Sequence, residues 1–109
     1  EGKFKSCDYF STNEVIFSEG DKVEGVYFIK SGKVKVTRKA KNNMAVWFAK
    51  PREFIGLISF FNGADNYSFS TSAFSGDVNT VLIPIKDFKK ILDENPILLL
   101  LKKQTTKNK

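Results

Sequence analysis

Histidine is missing from all 109 residues, and this absence excludes more chemistry than any residue present adds. A Ser-His-Asp or Cys-His nucleophile needs an imidazole base, and most zinc and non-haem iron sites use imidazole ligands. Neither can be built from this chain. With a single cysteine, Cys7, there is no internal disulfide, no set of thiolates for an iron–sulfur cluster and no usual ligand pair for haem. Cys7 has no resolving partner and reads as a small buried or terminal side chain rather than a redox switch. No stretch has the roughly 18 continuous apolar residues of a membrane span, and residues 1–6 lack the basic-then-apolar layout of a signal peptide. The expected compartment is a reducing cytoplasm, with no membrane partner. A start without Met reads as a fragment trimmed from a longer chain.

What is present is enough for one domain over residues 1–109: 41% hydrophobic residues, 11 of them Phe, can fill one core. Lys and Arg number 18 against 12 Asp and Glu, a formal charge of +6, which favours an acidic partner. The basic residues concentrate between Lys30 and Arg52, where no acid occurs. That stretch reads as a solvated strand face that also blunts a sheet edge. A contact with DNA backbone or RNA polymerase is the alternative.

From Glu14 to Ile85 short β-runs alternate with turn residues at the spacing of a sandwich or barrel. Val15-Ile16-Phe17 closes on Ser18-Glu19-Gly20-Asp21. Val26-Tyr27-Phe28-Ile29 turns at Ser31-Gly32 into Lys33 to Arg38, where Val34 and Val36 alternate with basic neighbours at period two. Lys41-Asn42-Asn43 is a hairpin-like turn, and residues 45–49 return as an apolar strand ending at Lys50-Pro51. Tyr67, Phe69, Thr71 and Ala73 alternate with serines, Gly76-Asp77 turns, and residues 80–85 form the last strand. The period then changes. Asp87 is placed as the N-cap of a helix carrying Phe88, Ile91 and Leu92, and Asn95-Pro96 opens a second helix. In that helix Ile97, Leu98, Leu99, Leu100 and Leu101 are five apolar residues in succession. They cover more than one helix face, so a second packing surface is expected.

This order, with Glu19-Gly20-Asp21, residues 25–36, Phe54-Ile55-Gly56, Ile83-Pro84, Asp87-Phe88 and Asn95-Pro96, resembles the cyclic-nucleotide-binding domain of the Crp/Fnr transcription regulators over nearly the whole chain. The resemblance implies a mainly β fold, a double-stranded β-helix or jelly-roll barrel with short flanking helices and a C-terminal helix from about residue 96. It implies no enzyme. It makes residues 56–68 the counterpart of the phosphate-binding cassette. The expected ligand-binding residues are then Gly56, Leu57, Ile58, Tyr67 and Ser68, and the expected dimer seam is Ile97 to Leu101.

Nucleotide-binding members open the cassette Gly-Glu-Leu and close it Arg-Ser or Arg-Ala, the Glu on the ribose and the Arg on the cyclic phosphate. Here the Glu position is Leu57 and the Arg position is Tyr67. Loss of one partner of a buried charge pair costs about 2 to 5 kcal/mol, or roughly 30-fold to several thousand-fold in affinity. Cyclic AMP is therefore expected to bind weakly or not at all. No cofactor is certain, and the effector is a cyclic nucleotide or another small anion. The resemblance further implies a homodimer that reaches DNA only through a helix-turn-helix absent from this chain. The rival reading is a freestanding nucleotide-binding module of a kinase, channel or other signalling protein.

Overall fold

The computed structural model describes residues 6–100. The strands are β1 (Ser6–Phe10), β2 (Val15–Phe17), β3 (Gly25–Lys39), β4 (Met44–Ala49), β5 (Phe54–Ile55) and β6 (Ser70–Pro84). Two α-helices, α1 (Leu57–Phe61) and α2 (Ile85–Glu94), flank the sheet, and a 3-10 turn over Pro96–Leu99 follows. All ladders are antiparallel. The path runs β1-β6-β3-β4, with β2 attached to β6 and β5 to β3.

The expected barrel is therefore corrected to an open sheet. Among the described residues the two ends of the path, β1 and β4, pair only with β6 and β3. Closure would need the free edge of β4 to meet another strand. The short strands β2 and β5, of three and two residues, spend their pairing on β6 and β3. The fold remains mainly β with short flanking helices, in keeping with a jelly-roll-like domain.

Each of the two central strands is 15 residues long and takes in a segment that reads as a turn in the sequence. Ser31 pairs with Asn79 and Lys33 with Phe74, so one residue of β3 faces a longer excursion of β6. The excursion contains Ser75 at φ 61° and Gly76 at φ 149°. Opposite it, Gly32 has φ 94°, and a Cβ there would land on the Asp77 carbonyl and within 2.9 Å of Val78. Both turn segments are thus present, but as facing halves of one bend inside a continuous ladder. The Asp77 carboxylate ties the bend down by accepting the Tyr9 hydroxyl and the Thr12 N–H.

Period-two alternation sends side chains to two cores on opposite faces of the sheet. One, on the inner face, holds Phe17, Tyr27, Ile29, Val34, Tyr67 and Phe69 among others. The second lies outside, where Val26, Ile83 and Leu57 pack on Phe88 and Leu92 of α2. That helix begins at Ile85 with Pro84 as N-cap, three residues before the N-cap expected at Asp87. Pro84 fixes its own φ and the turn starts at once, leaving Asp87 in the first turn, where its charge suits the helix dipole. The second helix does open at Pro96, but over Pro96–Leu99 it is 3-10, with the Leu98 N–H on the Asn95 carbonyl at 2.9 Å. Leu98 packs partly on the outer core, whereas Ile97, Leu99 and Leu100 are exposed by 72%, 50% and 57%. Leu101 lies outside the described residues.

Candidate functional site

A cavity of about 550 Å³ opens between β4, the turn after it, β5 and the start of α1. Its wall is mostly apolar: Phe17, Val36, Trp47, Phe48, Phe54, Ile55, Leu57, Ile58 and Phe69 contribute, with Ala49, Gly56 and Thr71. The charged members are Arg52 and Glu53. An apolar hollow of this size with few polar groups is the usual form of a small-molecule site.

The local sequence explains how the cavity forms. Gly56 precedes α1 at φ 93°, and a Cβ on it would lie 3.3 Å from the Tyr67 ring and 3.4 Å from the Gly25 carbonyl. Only glycine suits both the backbone and the space. Ser59, fully buried in α1, accepts the Ser68 N–H at 3.1 Å and so ties the helix to the end of the cassette. That end is fixed again by the Gly20 turn: the Tyr67 N–H donates to the Asp21 carbonyl at 2.8 Å, and the Gly20 N–H to the Tyr67 carbonyl at 2.9 Å.

Gly56, Leu57 and Ile58 thus line the cavity, but Tyr67 and Ser68 do not. The Tyr67 ring stacks on Phe17 at 3.7 Å between centroids, tilted by 13°. Its hydroxyl donates to the Gly25 carbonyl at 2.8 Å and accepts the Gly25 N–H at 3.4 Å. Burial raises its pKa above the usual 10.0, an effect that the backbone bonds to Gly25 and Glu24 oppose. Tyr67 is therefore a core residue whose polar atom is already bonded. Leu57 likewise belongs to the outer core with Phe88.

Several wall residues escape a reading of the sequence. Trp47 meets Phe69 edge to face at 5.1 Å, yet nothing local distinguishes it from any strand aromatic. Arg52 reads only as one more member of a basic stretch. Its backbone carries a stronger signal. The Glu53 N–H bonds the Lys50 carbonyl at 3.1 Å, closing a four-residue turn with Pro51 second and Arg52 third at φ 74°. Glycine is the favoured residue at that third place, and a side chain there costs roughly 1 kcal/mol or more. The turn is held to β3 by the Arg52 N–H on the Ile29 carbonyl at 2.8 Å and the Ile29 N–H on the Glu53 carbonyl at 2.9 Å. The Glu53 carboxylate accepts the Lys50 N–H at 2.9 Å.

The sequence and the fold are matched by known proteins. Residues 7–95 match the cyclic nucleotide-binding domain family. The chain belongs to that family. Its domain is related to those of the Crp/Fnr regulators, and the family is one of ligand-binding regulatory domains rather than catalytic ones. Among curated proteins it is 31% identical over 94 residues to the global nitrogen regulator of Nostoc sp., covering 84% of this chain and 42% of that protein. The global nitrogen regulator of Synechocystis sp. gives 30% identity with the same coverage. The chain thus spans less than half the length of these relatives. Among solved structures, the domain resembles the Thermus thermophilus catabolite activator protein with a TM-score of 0.78 at 20% identity, over 94% of this chain and 51% of that one. It also resembles the c-di-GMP-responsive global regulator CLP of Xanthomonas campestris, with a TM-score of 0.78 at 18% identity, over 94% and 53%. An EAL enzyme in its cGMP-bound form has the same fold, with a TM-score of 0.73 at 20% identity, over 94% of this chain and 28% of that one. Among the described residues no helix is long and apolar enough to cross a membrane, and no group of His, Cys, Asp or Glu could hold a metal ion.

Proposed function

We propose that residues 1–109 form the effector domain of a cytoplasmic Crp/Fnr-type transcription regulator, in which occupation of the cavity is passed to α2 and the segment from Pro96. One observation carries this reading: the cavity and the outer core share a wall. Phe54 and Leu57 line the cavity, Phe54 meets Phe88 of α2 at 5.7 Å, and Leu57 belongs to the same cluster as Phe88, Leu92 and Leu98. A ligand that displaced either side chain would alter the seat of α2, and close-packed interiors transmit such shifts because they do not compress. The exposed residues Ile97, Leu99 and Leu100, continued by Leu101, form the seam of a homodimer in this proposal. DNA would be read by another part of the regulator.

In this proposal cyclic AMP binds weakly or not at all. At the two cassette positions that hold a nucleotide in binding members, Leu57 is apolar and Tyr67 has its hydroxyl bonded to Gly25. Calorimetric titration with cyclic AMP at neutral pH should show no saturable heat at micromolar concentrations. A dissociation constant below about 10 micromolar, near 7 kcal/mol of binding energy, would overturn this reading of the cassette.

A further inference from the structure

Arg52 is where the cavity departs most from an inert apolar hollow. It is the cation among the wall residues and lies exposed on the turn between β4 and β5. Its backbone is held in a conformation suited to glycine, at φ 74°, by hydrogen bonds to β3 on either side of it. Glycine would relieve the turn and leave the wall otherwise intact, so the side chain is present despite the backbone rather than because of it. The other charged wall residue, Glu53, already uses its carboxylate to accept the Lys50 N–H and has no donor to offer an anion. The remaining wall is aromatic and aliphatic, from Phe17 and Trp47 to Leu57 and Phe69.

On the reading of the cavity as an effector site, we infer that its ligand is a small monoanionic amphiphile, a carboxylate with an apolar body, anchored by its charge to Arg52. The body lies against the Trp47 and Phe69 walls and the carboxylate stays at the rim, where it need not be stripped of all its water. The guanidinium offers a planar fork that matches a carboxylate. The anion site has thus moved from the cassette's closing position, now Tyr67, to the turn between β4 and β5.

The chain's single tryptophan, Trp47, lies in the cavity wall and reports occupancy directly. Octanoate and 1-octanol share an apolar body and differ in charge, so each is titrated against Trp47 emission, in the 109-residue chain and in Arg52→Gly and Arg52→Lys. Octanoate should saturate the signal at an affinity about 10- to 100-fold above that of octanol. Arg52→Gly should erase that preference, bringing octanoate to the affinity of octanol measured in the same variant, and it should melt no lower than the parent, since glycine suits the turn. Arg52→Lys should keep part of the preference. Equal affinity for the two probes in the parent, or a preference that survives Arg52→Gly, would overturn the role of Arg52 and leave the cavity as a ligand site. Failure of both probes to perturb Trp47 at millimolar concentration would overturn the cavity as a site for such ligands altogether.

Discussion

At the scale of single residues, Tyr67 is the one whose meaning changes most between sequence and structure. Its place in the cassette count was legible from Gly56 alone, but its direction was not. Only the stacked Phe17 and the Gly25 carbonyl, 42 residues away in sequence, turn it into the core. Tyr67→Phe should retain the stack and lose both hydrogen bonds of the hydroxyl to Gly25, a cost of about 1–3 kcal/mol in urea unfolding. A loss under a few tenths would mean that the hydroxyl bond contributes nothing. Tyr67 also bears on alkaline stability. Burial raises its pKa and that of Tyr27 above the unfolded value of 10.0, so the folded state binds these protons more tightly than the unfolded state does. The stability this gives is full below about pH 10 and is lost as pH rises through the folded values. Stability should therefore begin to fall above pH 10, and Tyr67→Phe should make that fall shallower. An unchanged slope in the variant would show that Tyr67 does not take part. The backbone of Arg52 lay beyond the sequence for a similar reason. A positive φ at a non-glycine residue comes from the hydrogen bonds that pin the turn, and no local pattern announces it.

At the scale of elements, the readable parts were those with a period or a punctuating residue. Val34 and Val36 marked β3, the alternation from Tyr67 to Ala73 marked the approach to β6, and the spacing of Phe88, Ile91 and Leu92 marked α2. Strand β5 went unread because two residues carry no period, and β1 because Ser6–Phe10 shows no clear alternation of apolar and polar residues. Opening the sheet instead of closing it is also a property of edges. Strand β4 exposes Met44, Val46 and Phe48 by 52%, 47% and 42%, although its composition is that of an interior strand. Lys33 covers part of this surface, with its ammonium 5.4 Å from the centre of the Phe48 ring. The basic stretch thus does more than face solvent. Helix α2 depends on one side chain above the rest. Phe88 is 1% exposed and meets the rings of Phe54 and Phe60 at 5.7 and 4.9 Å. Phe88→Ala should cost about 3–5 kcal/mol and loosen α2 first, which amide exchange along residues 85–94 would resolve. A cost below 1 kcal/mol, with α2 still protected, would contradict the seat described for that helix.

At the scale of the whole molecule, the exposed residues Ile97, Leu99 and Leu100 call for a cover. Each large side chain left in water forgoes about 1.5 to 3 kcal/mol, and the outer core takes only Leu98 from this segment. Sedimentation over a concentration series should show weak self-association that Leu99→Lys or Leu100→Lys removes. A strict monomer at several hundred micromolar, unchanged by either variant, would exclude the seam. The strand order has a different consequence, in time rather than in space. Strand β6 is the last of the described strands to be synthesised, yet it is the partner of β1, β2 and most of β3, joining Ser6 to Leu82 and Gly25 to Pro84. Until it leaves the ribosome only the β3–β4 and β3–β5 pairings are available, and the inner core has no second wall. Contacts so distant in sequence must first close long loops, which places refolding of this domain in the millisecond-to-second range typical of non-local β folds. A nascent chain stopped before Ser70 presents the apolar faces of β3 and β4 uncovered, and that is the stage at which it is most open to aggregation or to capture by a chaperone.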